Sequence, residues 1–308
     1  MKKTILFFIF LITSLTNVKE AKTYNFITLD YPRTELTCLY GINDEGQIVG
    51  IFSTSSHGFI YNQGRFESFH YLGTIRTSPK DINNNGQIVG TYQDWNSNKV
   101  HGFLYDRENF ITLDYLDAKD TVPMGINDKG QIVGVYWFGG LENHGFLYDQ
   151  GTFITLDYPE AKFTYLLSIN NKGKIVGYYQ DYSGKRHGLI YEEGYFSVLN
   201  YPGALDTYLW GINDKGQIVG RYVDPSGDYG FLYDGESFTI FDLPGATSIF
   251  LVDINNSGQV VGWYNDSFDW WRAHGLLIQP ESVAPVPEPN TLIILSLGLS
   301  ILLMRRGH

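Results

Sequence analysis

Gly41-Ile42-Asn43-Asp44-Glu45-Gly46-Gln47-Ile48-Val49-Gly50 is the stretch on which the fold turns, because the chain repeats it six times. Further copies run over Asp81–Gly90, Gly125–Gly134, Ser168–Gly177, Gly211–Gly220 and Asp253–Gly262. The first asparagine falls at Asn43, Asn83, Asn127, Asn170, Asn213 and Asn255, in steps of 40, 44, 43, 43 and 42 residues. A near-constant period of this length marks a fold made of copies of one supersecondary unit. Two more motifs keep the period. His57-Gly58-Phe59-Ile60-Tyr61 returns at His101, His144, His187 and His274, with Tyr229 in the fifth copy. Phe26-Ile27-Thr28-Leu29-Asp30-Tyr31-Pro32 is echoed from Phe66, Phe110, Phe153, Phe196 and Phe238.

Each unit divides into four short pieces rich in β-branched and aromatic residues and bounded by turn formers. In the third unit they are Val122–Asn127, Gln131–Trp137, Gly145–Asp149 and Phe153–Tyr158. Asn127-Asp128-Lys129-Gly130 is a turn, since Asn and Asp tolerate left-handed backbone angles and Gly has no Cβ to oppose them. Helical periodicity is absent between Tyr24 and Gln279. Four strands per 40 to 45 residues predict an all-β, six-bladed propeller; a β-solenoid and an open β array remain as alternatives. The phase of the chain adds a closure. The Phe-led strand comes first, at Phe26, while the last repeat piece is His274-Gly275-Leu276-Leu277-Ile278. The N-terminal strand is therefore expected to complete the sixth blade and remove an exposed edge.

Composition agrees: 16% aromatic and 18% charged residues with 34 Gly suit short strands and tight turns. The net charge of -11 argues against a nucleic-acid partner. Cys38 is the single cysteine, so no intrachain disulfide can form, and its apolar neighbours predict a small buried residue.

The three motifs together resemble the extracellular HAF-type repeat over nearly the whole chain between its two ends, a likeness that implies a secreted β-repeat protein and no enzymatic activity. The ends read as targeting segments. Residues 1–22 hold Met1-Lys2-Lys3 and the apolar run Thr4–Leu15, a secretory signal peptide. The repeats occupy 23–280, and a Pro-rich linker follows over 281–290. Residues 291–308 form an apolar segment of about 14 residues and a basic end, about 21 Å as a helix against a hydrocarbon core of roughly 30 Å. Linker, apolar run and Arg305-Arg306 resemble the PEP-CTERM sorting signal. The resemblance implies that Pro287, Glu288 and Pro289 are recognised by an exosortase-like membrane protease. It also implies a chain held in the membrane by its C-terminal helix at least transiently, then carried at the cell surface or in an exopolysaccharide biofilm matrix.

With strands lettered A to D along each unit, the A–B turn is nearly invariant, whereas the B–C and D–A loops vary. Function on repeat scaffolds tends to sit in such loops. The candidate ligand-binding residues are Trp95, Trp137, Tyr182, Trp210, Trp270, Trp271, Asp266 and Asp269, with Phe138, Tyr208, Asp94, Asp181, Asp224 and Asp228 in the same loops. Aromatic faces beside carboxylates suit sugars, which stack their C–H faces on rings. The expected function is therefore binding of exopolysaccharide or another matrix component. The alternative is a propeller enzyme, a glycosidase or lyase acting on extracellular glycans, although no acid, base or nucleophile motif stands out. No cofactor and no metal are expected. The histidines recur one per blade around a ring and do not converge on an ion; hydrogen bonds between blades are their expected role. The Asn-Asp turns supply too few oxygens for calcium. Asp30, Asp114, Asp157 and Asp242 read as strand-end caps.

Overall fold

The computed structural model describes residues 23–53, 57–95, 97–140, 142–266 and 272–281. It contains 24 β-strands and, among these residues, no helix. Strand β1 is Tyr24–Thr28. Blade I follows as β2 (Thr37–Ile42), β3 (Ile48–Phe52), β4 (His57–Asn62) and β5 (Arg65–Phe69). Blade II is β6 (Thr74–Ile82), β7 (Ile88–Asp94), β8 (Val100–Asp106) and β9 (Asn109–Leu113). Blade III is β10 (Asp120–Ile126), β11 (Ile132–Trp137), β12 (His144–Asp149) and β13 (Thr152–Thr155). Blade IV is β14 (Phe163–Ile169), β15 (Ile175–Gln180), β16 (Arg186–Glu192) and β17 (Tyr195–Val198). Blade V is β18 (Asp206–Ile212), β19 (Ile218–Asp224), β20 (Gly227–Tyr233) and β21 (Phe238–Phe241). Blade VI is β22 (Ser248–Ile254), β23 (Val260–Asn265) and β24 (His274–Pro280), and its fourth strand is β1. This is a six-bladed β-propeller. The expected closure is present: the Leu29 amide donates to the Gly275 carbonyl at 2.8 Å, and β1 lies against β24.

Alternation along each strand explains how blades stack. In the middle strands, Ile-Val before the glycine buries both side chains, and the phenylalanine after His-Gly or, in blade V, Tyr-Gly is fully enclosed, as at Phe59, Phe103, Phe146 and Phe231. Each core cluster joins two neighbours: Val261 of blade VI packs with Leu39, Ile48 and Phe59 of blade I, and Val89 of blade II packs with Ile126 and Phe146 of blade III. Burying a side chain of this kind stabilises by roughly 1.5–3 kcal/mol. The sheet faces thus hold the ring together by apolar contact.

The inner strands share one irregularity at the same position, and β6 carries a second between Thr74 and Arg76. In every blade the register between first and second strand slips by a residue, as between Leu39 and Gly41 or between Pro123 and Gly125. The same slip brackets Lys80, Leu167, Trp210 and Val252. A bulge leaves one residue unpaired and re-aims its side chain. The six bulged residues are Tyr40, Lys80, Met124, Leu167, Trp210 and Val252.

Candidate functional site

Three layers of side chains meet the axis or the rim, and only the first is repeated faithfully. At the A–B turns, the six motif asparagines form a closed circle. Asn43 donates its side-chain amide to the Asn83 carbonyl at 3.2 Å, and the relay runs through Asn127, Asn170 and Asn213 to Asn255, which donates to the Asn43 carbonyl at 3.0 Å. Each asparagine is buried, and its Oδ1 accepts the amide N–H four residues on, so the turn and the ring are one network. Five of these turns add a side-chain bond, as from Asn43 to Gln47 at 2.7 Å.

The next residue of each turn makes a second circle, in which Asp44, Asn84, Asp128, Asn171, Asp214 and Asn256 alternate acid with amide. Each asparagine amide donates to the carboxylates on both sides, for example Asn171 to Asp128 at 2.7 Å and to Asp214 at 3.0 Å. Asn84 and Asn256 do the same. Every aspartate thereby accepts three hydrogen bonds, two from amides and one from the backbone N–H of the preceding blade's asparagine. The alternation extends one step back along the strand: blades I, III and V place Gly41, Gly125 and Gly211 where blades II, IV and VI place Asp81, Ser168 and Asp253. A Cβ on Gly41 would lie 2.7 Å from the Asp81 Cα. Across the alternate seams Asp81, Ser168 and Asp253 accept from the Ile126, Ile212 and Ile42 amides of the following blades at 2.8, 3.3 and 2.9 Å. Burial raises Asp81 well above the usual carboxylate range, with the Asp253 charge adding to it, and pushes Asp253 up to about 6. The expectation that these turns are structural fits the geometry. No group of three His, Cys, Asp or Glu among the described residues is placed to hold a metal ion.

Beyond this layer the axis opens into a cavity of about 190 Å³, lined by all six bulged residues together with Trp263 and, on the side of the turns, Asp81, Ser168 and Asp253. An adjoining cavity of about 220 Å³ shares Tyr40 and Lys80 and reaches the exposed Arg76. The Lys80 ammonium sits 4.4 Å from the centroid of the Tyr40 ring, and Tyr40 meets Trp263 edge-on at 5.6 Å. Among the described residues Lys80 makes no hydrogen bond or ion pair. Its burial lowers the amine to about 8, opposed by the Cys38 sulfur. Cys38 is buried, and burial pushes its thiol up to about 12, which leaves it a packing residue as expected.

At the rim, the B–C connections hold the sequence candidates. Trp95 is 67% exposed, Phe138 56% and Tyr182 80%, on three consecutive blades. Asp94 and Asp181 fold the loops beneath two of them, accepting the Ser97 and Ser183 amides at 2.7 and 2.8 Å and meeting His101 and His187 at 3.2 Å each. The Ser183 hydroxyl, with His187 and the loop amides, holds Asp181 down to about 2.

Several expectations change. Tyr208 and Trp210 belong to β18, where Tyr208 is buried and Trp210 faces the axis, and Asp228 belongs to β20. Trp137 ends β11 and is half-buried. Asp266 is exposed and faces His274 at 3.5 Å. The candidates are therefore not gathered in one pocket. Trp270, Trp271 and Asp269 lie outside the described residues, as do the signal peptide and the sorting residues Pro287, Glu288, Pro289, Arg305 and Arg306. The histidines act within blades, not between them. His144 Nδ1 meets Asp157 at 2.7 Å, the same carboxylate accepts the Gly145 amide at 2.9 Å, and the imidazole stacks on Tyr136. His101–Asp114, His187–Asn200 and His274–Asp30 repeat the pairing. In blade V, Tyr229 stacks on Tyr222 and donates to the Ser226 hydroxyl at 3.0 Å.

No protein-family model matches the sequence. No curated protein matches it either. Solved structures do share its architecture. SapL1 lectin in complex with alpha methyl fucoside aligns with a TM-score of 0.53 at 12% identity, over 81% of this chain and 97% of that one. The Aleuria aurantia lectin in complex with Fucalpha1-6GlcNAc gives 0.51 at 12%, over 83% and 99%. Virginiamycin B lyase from Staphylococcus aureus gives 0.50 at 11%, over 83% and 99%. At such identities the likeness is one of fold alone.

Proposed function

We propose that this propeller is an exported surface module whose rim binds extracellular polysaccharide without transforming it. The observation that carries the reading is the exposed aromatic in the B–C connection of blades II, III and IV: Trp95, Phe138 and Tyr182. An exposed ring beside a hydrogen-bonded polar loop offers a stacking plane for a sugar ring with groups for its hydroxyls nearby. Repeating weak platforms around a rigid ring suits a polymer, because linked contacts gain from effective concentration where single ones would not. Propellers of this architecture solved with fucosides make sugar recognition by such a scaffold chemically reasonable. The sorting-signal resemblance of Pro287-Glu288-Pro289 would deliver the module to the surface, where such a polymer lies.

The test is retention of the full chain on immobilised exopolysaccharide and on a glycan panel. Saturable retention that falls at least about tenfold in the Trp95→Ala, Tyr182→Ala double variant, with unchanged melting, is the expected result. Undiminished retention by that variant, or none by the native chain, sinks the reading. Alanine at 287–289 should leave the tail uncut, read as the mass of the chain recovered from the membrane fraction.

A further inference from the structure

The axial cavity offers chemistry that the rim reading leaves unused. Its six inner positions are geometrically equivalent bulges, yet they hold Tyr40, Lys80, Met124, Leu167, Trp210 and Val252, six different residue types in a chain that otherwise repeats itself. Five of the six are apolar or aromatic, and the sixth is a cation. An ammonium removed from bulk water costs free energy unless it is paired. The two acids that line the cavity with it, Asp81 and Asp253, are engaged by backbone amides. Asp81 gives one oxygen to the Ile82 amide and the other to the Ile126 amide, both at 2.8 Å, and Asp253 accepts from Ile42. The Tyr40 ring at 4.4 Å supplies attraction but no counter-charge. The site thus has a cation, aromatic walls from Trp210 and Trp263, two acids and a serine turned to backbone amides at the turn side, and an open space of about 190 Å³. Cavities of about 150 Å³ admit a benzene ring.

We infer that the axial cavity is a ligand site for a small aromatic carboxylate, its ring among the bulged apolar side chains and its carboxylate paired with Lys80. The adjoining cavity that reaches Arg76 gives a cationic approach toward Lys80. Bulges are favoured next to binding sites because they re-aim a side chain without disturbing the sheet. Six of them place six freely chosen residues around one ligand-sized space.

Titration of the full chain with benzoate, followed by tryptophan fluorescence and calorimetry, tests the assignment, with benzyl alcohol and benzylamine as uncharged and cationic controls. Benzoate is expected to saturate below about 10 mM and to bind about ten- to hundredfold more tightly than benzyl alcohol, the range of a charge-assisted bond. Lys80→Met should bring benzoate down to the level of the alcohol, Lys80→Arg should keep most of the preference, and Val252→Trp, which fills the space, should remove binding of both. If Lys80→Met does not fold, Lys80→Gln makes the same comparison. Equal binding of benzoate and benzyl alcohol, undiminished benzoate binding without the lysine charge, or no benzoate binding to the native chain each overturns the assignment.

Discussion

The two ends of the central channel are built from the same six strands and obey opposite rules. At the A–B end, each side chain's partner is its own equivalent in the next blade. A change in one copy therefore breaks bonds in two blades, and the asparagines hold at all six positions. Three residues back along the same strands, the bulged side chains line a cavity. No repeated bond runs from one to the next, the Lys80–Tyr40 contact being a single pair, and the six have diverged completely. Repetition in this chain thus records where blades depend on blades, and divergence records where they do not. The odd–even alternation lies between these limits, since Asp44 needs asparagine on both sides to supply its hydrogen bonds.

The comparison breaks most visibly if the ring end tolerates change. Asn127→Ala removes the donor to the Asn170 carbonyl and the acceptor for the Lys129 and Gln131 amides in a buried place. A loss of about 3 kcal/mol or more is expected, near a 10 °C fall in melting temperature for a domain of this size. Asn171→Asp sharpens the alternation rule. It places three carboxylates side by side and removes two donors, so urea unfolding at pH 7 should show a loss of about 2–3 kcal/mol, much of it regained below pH 5.

Acid and base titration separates the two ends. The folded carboxyl of Asp253 sits at about 6, above its value in an unfolded chain, so the folded state holds the proton more tightly. Its stabilising contribution is full below the unfolded value and is lost as pH rises through about 6. Lys80 behaves oppositely: with its amine at about 8 when folded, stability is gained as pH rises from about 8 toward the ordinary lysine value. Chemical denaturation should therefore show a shallow minimum between about pH 6 and 8, with limbs of about 2 kcal/mol. Asp253→Asn should shrink the acid limb, to which the raised Asp81 also contributes, and Lys80→Met should flatten the alkaline limb. A single flat profile in the native chain would contradict both burials. The smallest effect belongs to the rim, where Trp95→Ala should change unfolding by no more than about 0.5 kcal/mol.

Much of this was legible in the letters. The period, the four-strand unit and the phase offset that makes β1 the clasp of blade VI follow from motif positions alone, because they rest on local turn chemistry and strand alternation. The paired pattern, Gly-Ile-Asn-Asp in one unit and Asp-Ile-Asn-Asn or Ser-Ile-Asn-Asn in the next, was also written out. It acquires meaning only when blades I and VI are known to be neighbours, since the alternation must then match across the seam. Trp210 reads as a loop residue in the sequence because the bulge that re-aims it has no signature in one strand. Lys80 gives no signal for the same reason: Tyr40 and Trp263, which share its cavity, are distant in sequence, and an isolated lysine before Asp-Ile-Asn reads as solvent-facing. A signal did exist in the one column of the repeat next to Gly/Asp/Ser-Ile-Asn that holds six different residues.

The alternating circle of acids and amides also carries a parity. In a ring of even number every aspartate can have asparagine on both sides. A ring of five or seven would be frustrated, in the sense that somewhere two like residues must face each other, either as carboxylates that repel or as amides that compete to donate. Growth or loss by a single blade is thus penalised by the hub before any packing is considered. The unit that this chain can duplicate or delete without conflict is a pair of blades, about twice the period that the motif spacing displays.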